Sequence, residues 1–497
     1  MLIWFLPVFL VFLMIGLPVF FGLLAAPGIL LWLAGQEKDI TLLYRNVYNG
    51  MDSFPLMAIP FFMLAGELMN KGGITERLVE FSQALMGHLR GGLAHVNILS
   101  SMLFAGLSGS AVADTSALGS MLIPAMERQG YTRRFAAAVT AASSVIGPII
   151  PPSGIMIIYA YVMGESVAAL FLAGIVPGVL VGLGLMLVVR LMANRYDLPK
   201  AERIVKKGQA LTAKEHWVSF VLLRLNLGWV FFAIFRGTTG IASGEEASAA
   251  MVWGTFAVSV LAAHVLLISL RKTIEPDFRT VTKRAVVPLQ TPILILGGIL
   301  LGVFTPTEAA AVAVFYAIVV AFFVLNTMTL KDLPDVLSRA AMTSAVVLLL
   351  VGAAMAFKTV VSLSYAPQIL ADYILGLSEN PYVLLFLINI LLFIVGMFLD
   401  AGPAIIILGP ILGPIFTDLG VHPVHFAIIM SVNLTVGLAT PPMGLVLFVA
   451  SSVAKERVET IAKAILPFLA VEVLVIFLIT YFPAISMTIP RITGFVD

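Results

Sequence analysis

The chain has 497 residues, of which 60% are hydrophobic and only 11% are charged, and its formal net charge is +2. Soluble domains carry about one quarter charged residues, so this composition excludes a soluble protein, and the near-neutral charge excludes a nucleic-acid partner of the usual basic kind. The absence of cysteine excludes disulfides, a thiol nucleophile and a cysteine-based metal site.

The N-terminal stretch "MLIWFLPVFLVFLMIGLPVFFGLLAAPGILLWLAG" predicts a first membrane helix, because it lacks a positively charged start and is too long for a signal peptide. Apolar runs of about 17–25 residues, the length that crosses a bilayer as a helix, follow one another along the chain. Residues 72–95 are amphipathic instead, and we expect them along the membrane interface, after a helix end at which Glu67 pairs with Lys71. The predicted fold class is therefore all-α and polytopic, within a lipid bilayer.

Lys and Arg cluster at 190–214 and 271–284, and short loops rich in these residues stay in the cytoplasm. The two apolar runs between these clusters, 216–235 and 248–269, are separated by "RGTTGIASGEEASA" and form a consistent pair of spans. A further predicted pair lies at 287–302 and 308–326.

Three isolated polar residues have simple structural interpretations. Glu308 follows Thr305 and Pro306, so we expect it in the first turn of a helix. Lys358 is expected to snorkel toward the interface, and His264, inside an apolar helix, is expected to be packed rather than catalytic.

Residues 106–154 and 396–444 match at a fixed offset of 290 positions. Most identities are Gly or Pro, whose positions are set by backbone shape rather than by composition. The first-copy residues that meet an identical residue are Gly106, Ala111, Leu118, Gly119, Leu122, Pro124, Gly130, Ala137, Gly147, Pro151, Pro152 and Gly154. The pattern predicts an internal structural repeat.

The loops of the two copies differ in charge. The loop "ERQGYTRR", 127–134, has three arginines, whereas "TDLGVHPVH", 417–425, has no Lys or Arg. The charge rule places the first loop inside and the second outside, and one span then leads from the second to the predicted cytoplasmic segment "KERVETIAK", 455–463. The copies are therefore predicted to be inverted, a pattern typical of secondary transporters.

Each copy contains paired prolines, in "GPIIPPSG" and "GLATPPMG", and the predicted helix breaks are Pro151, Pro152, Pro441 and Pro442. A proline leaves the carbonyl four residues earlier without its hydrogen bond, and in lipid that carbonyl must face protein, water or an ion. The released carbonyls belong to Gly147, Pro148, Gly437 and Leu438. Small polar side chains stand beside them: Ser143, Ser144, Ser153, Asn433, Thr435 and Thr440. Neutral oxygen ligands of this kind suit Na⁺, and the alternative is a kink that only shapes helix packing.

A second interrupted segment precedes each broken helix: "FAGLSGSAVADTSALGSMLIP", 104–124, and "GMFLDAGPAIIILGPILGP", 396–414. Both are short for two complete crossings, which predicts re-entrant hairpins with tips near 108–110 and 400–403. Asp114 and Asp400 are the carboxylates of these hairpins, and a charge at membrane depth costs about 2.5–3.5 kcal/mol, so each is a functional candidate. The alternative is that each caps the N-terminus of a half-helix.

Four segments together resemble the large membrane subunit of TRAP transporters, the tripartite ATP-independent periplasmic family: "GLSGSAVADTSALGSMLIPAM", "GPIIPPSG", "GGILLGVFTPTEAAAVAV" and "NLTVGLATPPMG". The resemblance implies a Na⁺-coupled elevator carrier in the ion-transporter superfamily, in a bacterial or archaeal cytoplasmic (inner) membrane. It also implies three kinds of partner: a small four-helix membrane subunit, a periplasmic substrate-binding protein and an organic acid substrate.

The resemblance places substrate and cation at the tips and the breaks. The expected substrate-binding residues are Ser108, Gly109, Ser110, Asp114, Ser153, Asp400, Gly402, Pro403, Thr440 and Met443. The expected Na⁺ ligands are Ser143, Ser144, Gly147, Pro148, Asn433, Thr435, Gly437 and Leu438. Half-helix N-termini would favour a carboxylate, and proton coupling through Asp114 or Asp400 is the rival to Na⁺ coupling.

The predicted organisation has six segments: N-terminal scaffold helices with the amphipathic segment (1–95), the repeat-1 transport unit (96–192), cytoplasmic linkers with an extra two-span insertion at about 214–275 (193–285), the repeat-2 scaffold helices (286–380), the repeat-2 transport unit (381–463) and the C-terminal helix (464–497). The insertion exceeds the usual length of this subunit and is too short to be a fused small subunit.

Two other functions compete with this interpretation. One is a stand-alone dicarboxylate or anion carrier of the same superfamily. The other is an intramembrane serine protease, because "GLSG" matches the motif around such a nucleophile; this reading needs Ser108 as nucleophile and a histidine base such as His264. No GxxxxGK[ST] loop is present, which argues against ATP hydrolysis.

Overall fold

The computed structural model describes residues 4–496 except 34, 36, 196–197, 202–209, 240–248, 364–375, 377 and 379. Part of the basic cluster at 190–214, most of the loop between the two added spans and part of the 286–380 segment therefore lie outside the described residues.

The described residues form α-helices joined by short connections. The first five are α1 (Phe5–Met14), α2 (Val19–Leu33), α3 (Glu37–Met51), α4 (Ala58–Lys71) and α5 (Ile74–Met86). The first repeat copy contributes α6 (Gly92–Ser108), α7 (Ala111–Arg128), α8 (Arg133–Ser144), α9 (Gly154–Met163) and α10 (Val167–Arg195). The middle of the chain forms α11 (Ala213–Thr239), α12 (Ala249–Leu270), α13 (Pro276–Leu300), α14 (Pro306–Val319) and α15 (Leu333–Leu363). The second copy and the C-terminal region form α16 (Pro381–Phe398), α17 (Ala401–Asp418), α18 (Pro423–Gly437), α19 (Leu445–Ala454), α20 (Val458–Tyr481) and α21 (Ala484–Ile492).

Nine of the described helices are long and apolar enough to cross a membrane, or ten if a pair bent by 59° between Met51 and Phe54 forms one span. This confirms an all-helical, multi-pass protein. The N-terminal prediction of one first helix is wrong, because the stretch forms α1 and α2. Gly16 between them has φ +85°, and Pro18 follows, so the first helix cannot continue.

The helix bounds follow the repeat offset of 290 positions. Helix α6 ends at Ser108 and α16 at Phe398, while α7 begins at Ala111 and α17 at Ala401. The loop glycines also correspond, since Gly130 has φ +92° and Gly420 has φ +87°. Both paired-proline bonds, 151–152 and 441–442, are cis. The helix–turn–helix hairpin and the broken helix are thus present in both copies, whereas their re-entrant depth and opposite orientation stay predictions.

The two copies exchange packing partners. The half-helix α9 of the first copy packs against α17 of the second, and the half-helix α19 of the second packs against α7 of the first. Each hairpin therefore rests on the broken helix of the other copy as well as on its own. The segments of α8 and α18 that lead into the breaks are buried throughout.

The two added spans are present as α11 and α12, and α11 joins the rest of the molecule at α13. A buried ion pair joins Arg77 of α5 to Glu215 at the start of α11. Within the bundle, Asn226 donates to Gln290 Oε1 at 2.8 Å, which fixes α11 to α13. Most of the apolar surface of these two helices is exposed, as expected for helices that face lipid.

Several side-chain pairings differ from expectation. Glu67 does not pair with Lys71: Arg339 Nε lies 3.1 Å from Glu67, and Lys71 lies 3.4 Å from Asp332, because both partners come from the α15 region that packs on α4. Lys358 has a partner within the protein, since its ammonium donates to the carbonyl of Val162 at the end of α9. Its snorkelling toward the interface stays a prediction.

The interpretation of Glu308 is confirmed. Its carboxylate accepts from Thr305 N at 2.8 Å while Thr305 Oγ1 accepts from Glu308 N, which forms a capping box at the start of α14.

His264 is packed as expected, but it also has a polar role. Its Nδ1 accepts a 2.7 Å hydrogen bond from Arg224 Nε, which joins α12 to α11, and the guanidinium lies 3.2 Å from the centroid of the Phe220 ring. His264 is therefore engaged within the added hairpin and is not a base for Ser108.

Candidate functional site

The tip of the first hairpin lies where α6 meets α7. Helix α6 ends at Ser108, Gly109 has φ +61°, and the Ser110 side chain caps α7 by accepting from Ala113 N at 3.4 Å. A Cβ on Gly109 would lie 2.7 Å from the carbonyl oxygen of Pro152. The tip therefore contacts the break between α8 and α9, and it lies at 108–110, where the sequence predicted it.

Asp114 lies in the first turn of α7 with no exposed surface. Its Oδ1 accepts a hydrogen bond from Ser108 Oγ, while no described group donates to its buried Oδ2. That free oxygen faces the Cα of Gly147, where a Cβ would overlap it. The capping alternative for Asp114 is wrong because Ser110 is the cap, so the structure leaves a buried carboxylate oxygen available at the helix break.

The released carbonyls are largely satisfied by the protein itself. Pro148 O accepts from Ser153 Oγ at 2.5 Å, and Ser153 also caps α9. In the second copy, Gly437 O accepts from Thr440 N at 2.9 Å, and Leu438 O accepts from Val446 N at 3.0 Å. Of the three expected partners (protein, water or an ion), these carbonyls face protein, because the chain turns tightly enough after each break to bring a donor back. Their role as Na⁺ ligands stays a prediction. A carbonyl has two lone pairs, so each can still accept a second partner.

The predicted polar ligands take part in helix-to-helix networks. Ser143 accepts from Ser101 at 2.9 Å and donates to Asn97 at 3.2 Å, which ties α8 to α6. At the equivalent position of the second copy, Asn433 donates to Asn389 Oδ1 at 2.6 Å, which ties α18 to α16. The remaining hydroxyls donate to the carbonyl four residues earlier: Ser144 to Thr140, Thr435 to Ser431 and Thr440 to Val436.

The tip of the second hairpin is built differently from the first. Asp400 Oδ1 accepts from Ala401 N at 2.7 Å and caps α17, and Asp400 is the counterpart of Ser110 at the repeat offset. The side chain of Asp400 is exposed, as is Met443 in the neighbouring break, whereas Gly402, Pro403 and Thr440 are buried. The capping alternative thus applies to Asp400, and its carboxylate keeps acceptor capacity at an exposed tip.

Helix α9 brings the two tips together. The tip of the first hairpin contacts 152–154 at the start of α9, and a Cβ on Gly402 would lie 3.7 Å from Ile158 Cδ1. Residues 154 and 158 are about 6 Å apart along a helix axis. The predicted substrate residues of the two copies therefore flank one half-helix.

Sequence reasoning missed the partners of the polar networks, Asn97, Ser101 and Asn389. Each is a polar residue in a mainly apolar helix and is buried. A buried amide needs hydrogen-bond partners, and that requirement is the signal that could have identified Asn97 and Asn389.

Comparison with known proteins adds an independent finding. The family model described as "Tripartite ATP-independent periplasmic transporter, DctM component" matches residues 6–275 and 247–485. The sialic acid TRAP transporter large permease protein SiaM of Vibrio cholerae is 35% identical over 96% of this chain and 95% of its own length. The C4-dicarboxylate TRAP transporter large permease protein DctM of Pseudomonas aeruginosa is 35% identical over 95% and 94%.

A third relative, the 2,3-diketo-L-gulonate TRAP transporter large permease protein YiaN of Escherichia coli, is 35% identical over 93% of each chain. Among solved structures, the YdaH transporter of Alcanivorax borkumensis superposes with a TM-score of 0.58 at 17% identity, covering 90% of this chain and 88% of that one. At that identity the likeness supports the fold alone.

Proposed function

This chain belongs to the DctM component family of the tripartite ATP-independent periplasmic transporters, and from that premise we propose that it imports an organic acid by coupling its movement to Na⁺. The family and the relatives are transporter permeases, so the chain is a transport subunit and not an enzyme. The serine-protease hypothesis is therefore rejected, and Ser108 donates to Asp114 rather than to a histidine.

The observation that carries Na⁺ coupling is the carboxylate of Asp114. One oxygen has no described donor, the group is fully buried, and it lies against Gly147 where the broken helix opens. A carboxyl group buried in this way must either pair with a cation or hold a proton. Hydroxyls and carbonyls around it are neutral oxygen ligands, which suit a hard monovalent cation.

The substrate class follows from the relatives and from the tips. The three relatives described above are named for sialic acid, C4-dicarboxylates and 2,3-diketo-L-gulonate, and all three substrates are carboxylates. Helices α7 and α9 begin near each other at the first tip, and helix N-termini favour an anion. We assign the substrate carboxylate to Ser108, Ser110 and Ser153, and substrate hydroxyls to the exposed carboxylate of Asp400.

The proposed assembly includes a small four-helix membrane subunit and a periplasmic binding protein, in the inner membrane of a bacterium. The relatives reported above come from bacteria, so they support a bacterial rather than an archaeal source. The elevator movement would carry the hairpins and broken helices, which are joined across the two copies, past the scaffold helices.

The decisive experiment is uptake into proteoliposomes that hold this chain and its small subunit. A panel of labelled organic acids is offered with and without the binding protein, under either an inward Na⁺ gradient or an inward proton gradient. Uptake that requires both Na⁺ and the binding protein supports the proposal. Uptake without the binding protein would instead identify a stand-alone carrier, and uptake driven by protons alone would contradict Na⁺ coupling.

The Asp114→Asn substitution tests the proposed cation site. Replacing the carboxylate with an amide removes the negative charge while preserving shape, so Na⁺-driven uptake should fall at least about tenfold, equivalent to about 1.4 kcal/mol. The apparent Na⁺ affinity should fall with it. Asp418→Asn, at the exposed end of α17, is the matched control and should leave Na⁺ dependence unchanged; equal behaviour of the two variants would remove Asp114 from the cation site.

A further inference from the structure

Glu472 lies near the middle of α20 and takes no part in the tips or the breaks. It has no exposed surface, and neither carboxyl oxygen has a hydrogen-bond partner among the described residues. A carboxyl group inside a membrane span is costly, so its presence calls for a function.

The surroundings of Glu472 are apolar and closely packed. Phe468, one turn earlier on the same side of α20, lies with its ring 6.0 Å from the ring of Phe135 on α8. Val471 and Val475 border Gly184 of α10, where a Cβ would lie 2.7 Å from Val471 Cγ1. Glu472 is therefore enclosed at the level where α8 and α10 meet α20.

No charged partner compensates the carboxyl group in the described region. Helix α20 packs against α8, α10, α16, α18 and α19. The titratable residues with described side chains on α20 and these helices are Glu459, Lys463 and Tyr481 on α20, Arg133 and Arg134 on α8, Arg190 on α10, Tyr382 on α16 and His425 on α18. None of them bonds to Glu472, and His425 is engaged with Ser486 Oγ at 2.7 Å. An ionised carboxylate without a partner is strongly unfavourable in an apolar site.

Helix α20 is joined to both broken helices. It packs against α8 of the first copy and against α18 and α19 of the second. Thr480 of α20 also donates to Asn389 Oδ1 at 3.2 Å, the atom that accepts from Asn433. A rearrangement of either broken helix therefore changes the packing that surrounds α20.

We propose that Glu472 is a proton-binding site of the transporter, protonated in the conformation described here and deprotonated when the helices around α20 rearrange. The O–H bond of the carboxylic acid breaks, the carboxylate remains on Glu472, and the proton passes to water that reaches the opened site. This inference rests on the proposed transport function and adds a proton to its Na⁺-coupled cycle.

The test uses the complete transporter in proteoliposomes with a pH-sensitive dye enclosed, an inward Na⁺ gradient and the binding protein. Wild type should move protons together with the acid. Glu472→Gln should lower the number of protons moved per acid at least tenfold, whereas Glu459→Gln, an exposed position at the start of the same helix, should match wild type. An unchanged ratio in Glu472→Gln, or no proton movement by wild type, would overturn the proposal.

A second measurement does not depend on transport, so it tests the protonation of Glu472 even if the Glu472→Gln variant is inactive. Infrared spectra of the purified transporter should contain a carboxylic acid C=O band that external pH does not remove, that Glu472→Gln lacks and that Glu459→Gln retains. An identical band in wild type and Glu472→Gln would contradict the assignment. If wild type takes up none of the acids, the proposed function fails, while the infrared band still reports on Glu472.

Discussion

The absence of a side chain at Gly147 leaves room for the carboxylate of Asp114 in the candidate cation site. A methyl group at this position would occupy the space of the Asp114 carboxylate, which the hairpin brings against the break of the neighbouring helix. The sequence marks Gly147 through its match with Gly437, but the reason differs between the copies. Gly437 is required because a Cβ there would lie 2.5 Å from the backbone of Gly396.

The Gly147→Ala substitution should therefore disturb the site directly. Overpacking of a buried position typically costs about 1–3 kcal/mol, and here the group that must shift is the Asp114 carboxylate. We expect Na⁺-driven uptake to fall at least about tenfold with a normal amount of folded protein, measured by uptake and by size-exclusion chromatography.

The control for this prediction is Gly409→Ala, a buried helical glycine of α17 whose added Cβ would have its nearest neighbour, Met163 Sδ, at 3.6 Å. That distance is an ordinary contact, so uptake should remain within about twofold of wild type. Equal activity of wild type and Gly147→Ala would show that the carboxylate does not need its position against the break.

At the scale of elements, the added hairpin α11–α12 depends on a polar contact within its apolar surface. Arg224 Nη1 donates to Phe220 O at 2.8 Å, its Nε donates to His264, and its guanidinium covers the Phe220 ring. The acceptor role of His264 Nδ1 requires a neutral imidazole with its hydrogen on Nε2. Arg224, near the middle of α11, therefore has hydrogen-bond partners on both α11 and α12.

The His264→Leu substitution should destabilise the hairpin by about 2–3 kcal/mol, because it removes a partner from a cation in an apolar environment. The double variant Arg224→Leu/His264→Leu should recover most of the loss, since no charge is left to satisfy. Thermal unfolding of the purified transporter measures both effects. A double variant no more stable than His264→Leu would show that Arg224 needs no partner from α12.

The broken helices show what sequence patterns can and cannot give at this scale. The paired prolines correctly predict where α8 and α18 end, because proline cannot continue an intrahelical hydrogen-bond ladder. The prolines do not predict which donors the released carbonyls find. Ser153 Oγ and Val446 N reach these carbonyls only because of the path that the chain takes after each break.

For the whole molecule, the exchange of packing partners joins the two copies into one unit. Helix α9 rests on α17 and α19 rests on α7, so each hairpin packs on the broken helix of the other copy. A displacement within one copy would therefore change the packing of the other. The orientation of the copies relative to the membrane is a separate prediction, because it rests on loop charges.

Single cysteines test that orientation cleanly, because the chain has no cysteine of its own. Arg128 and Asp418 end α7 and α17 at equivalent positions, and both are exposed. A membrane-impermeant maleimide added to intact cells, with the outer membrane permeabilised, should label Asp418→Cys and leave Arg128→Cys unlabelled. Inside-out vesicles should reverse the result, and labelling of both from one side would refute the inverted repeat.

The sequence by itself determined the all-helical membrane class, the repeat at 290 positions, both hairpin tips and both helix breaks. These features depend on composition and on Gly and Pro, whose backbone constraints act locally. The motifs also identified the family, because its characteristic residues cluster at those same constrained positions.

Only the tertiary structure decided which polar groups are buried without a hydrogen-bond partner and can therefore bind an ion or a proton. Asp114 and Asp400 look alike in sequence, yet Asp400 caps a helix at an exposed tip while Asp114 is buried with one oxygen free. Glu472 is visible in the sequence as a lone carboxyl group in an apolar run, a signal that the sequence analysis missed. Its lack of a partner is a property of α8, α10 and α18 closing around α20. Burial and hydrogen-bond satisfaction depend on residues distant in the chain, which no local pattern of amino acids specifies.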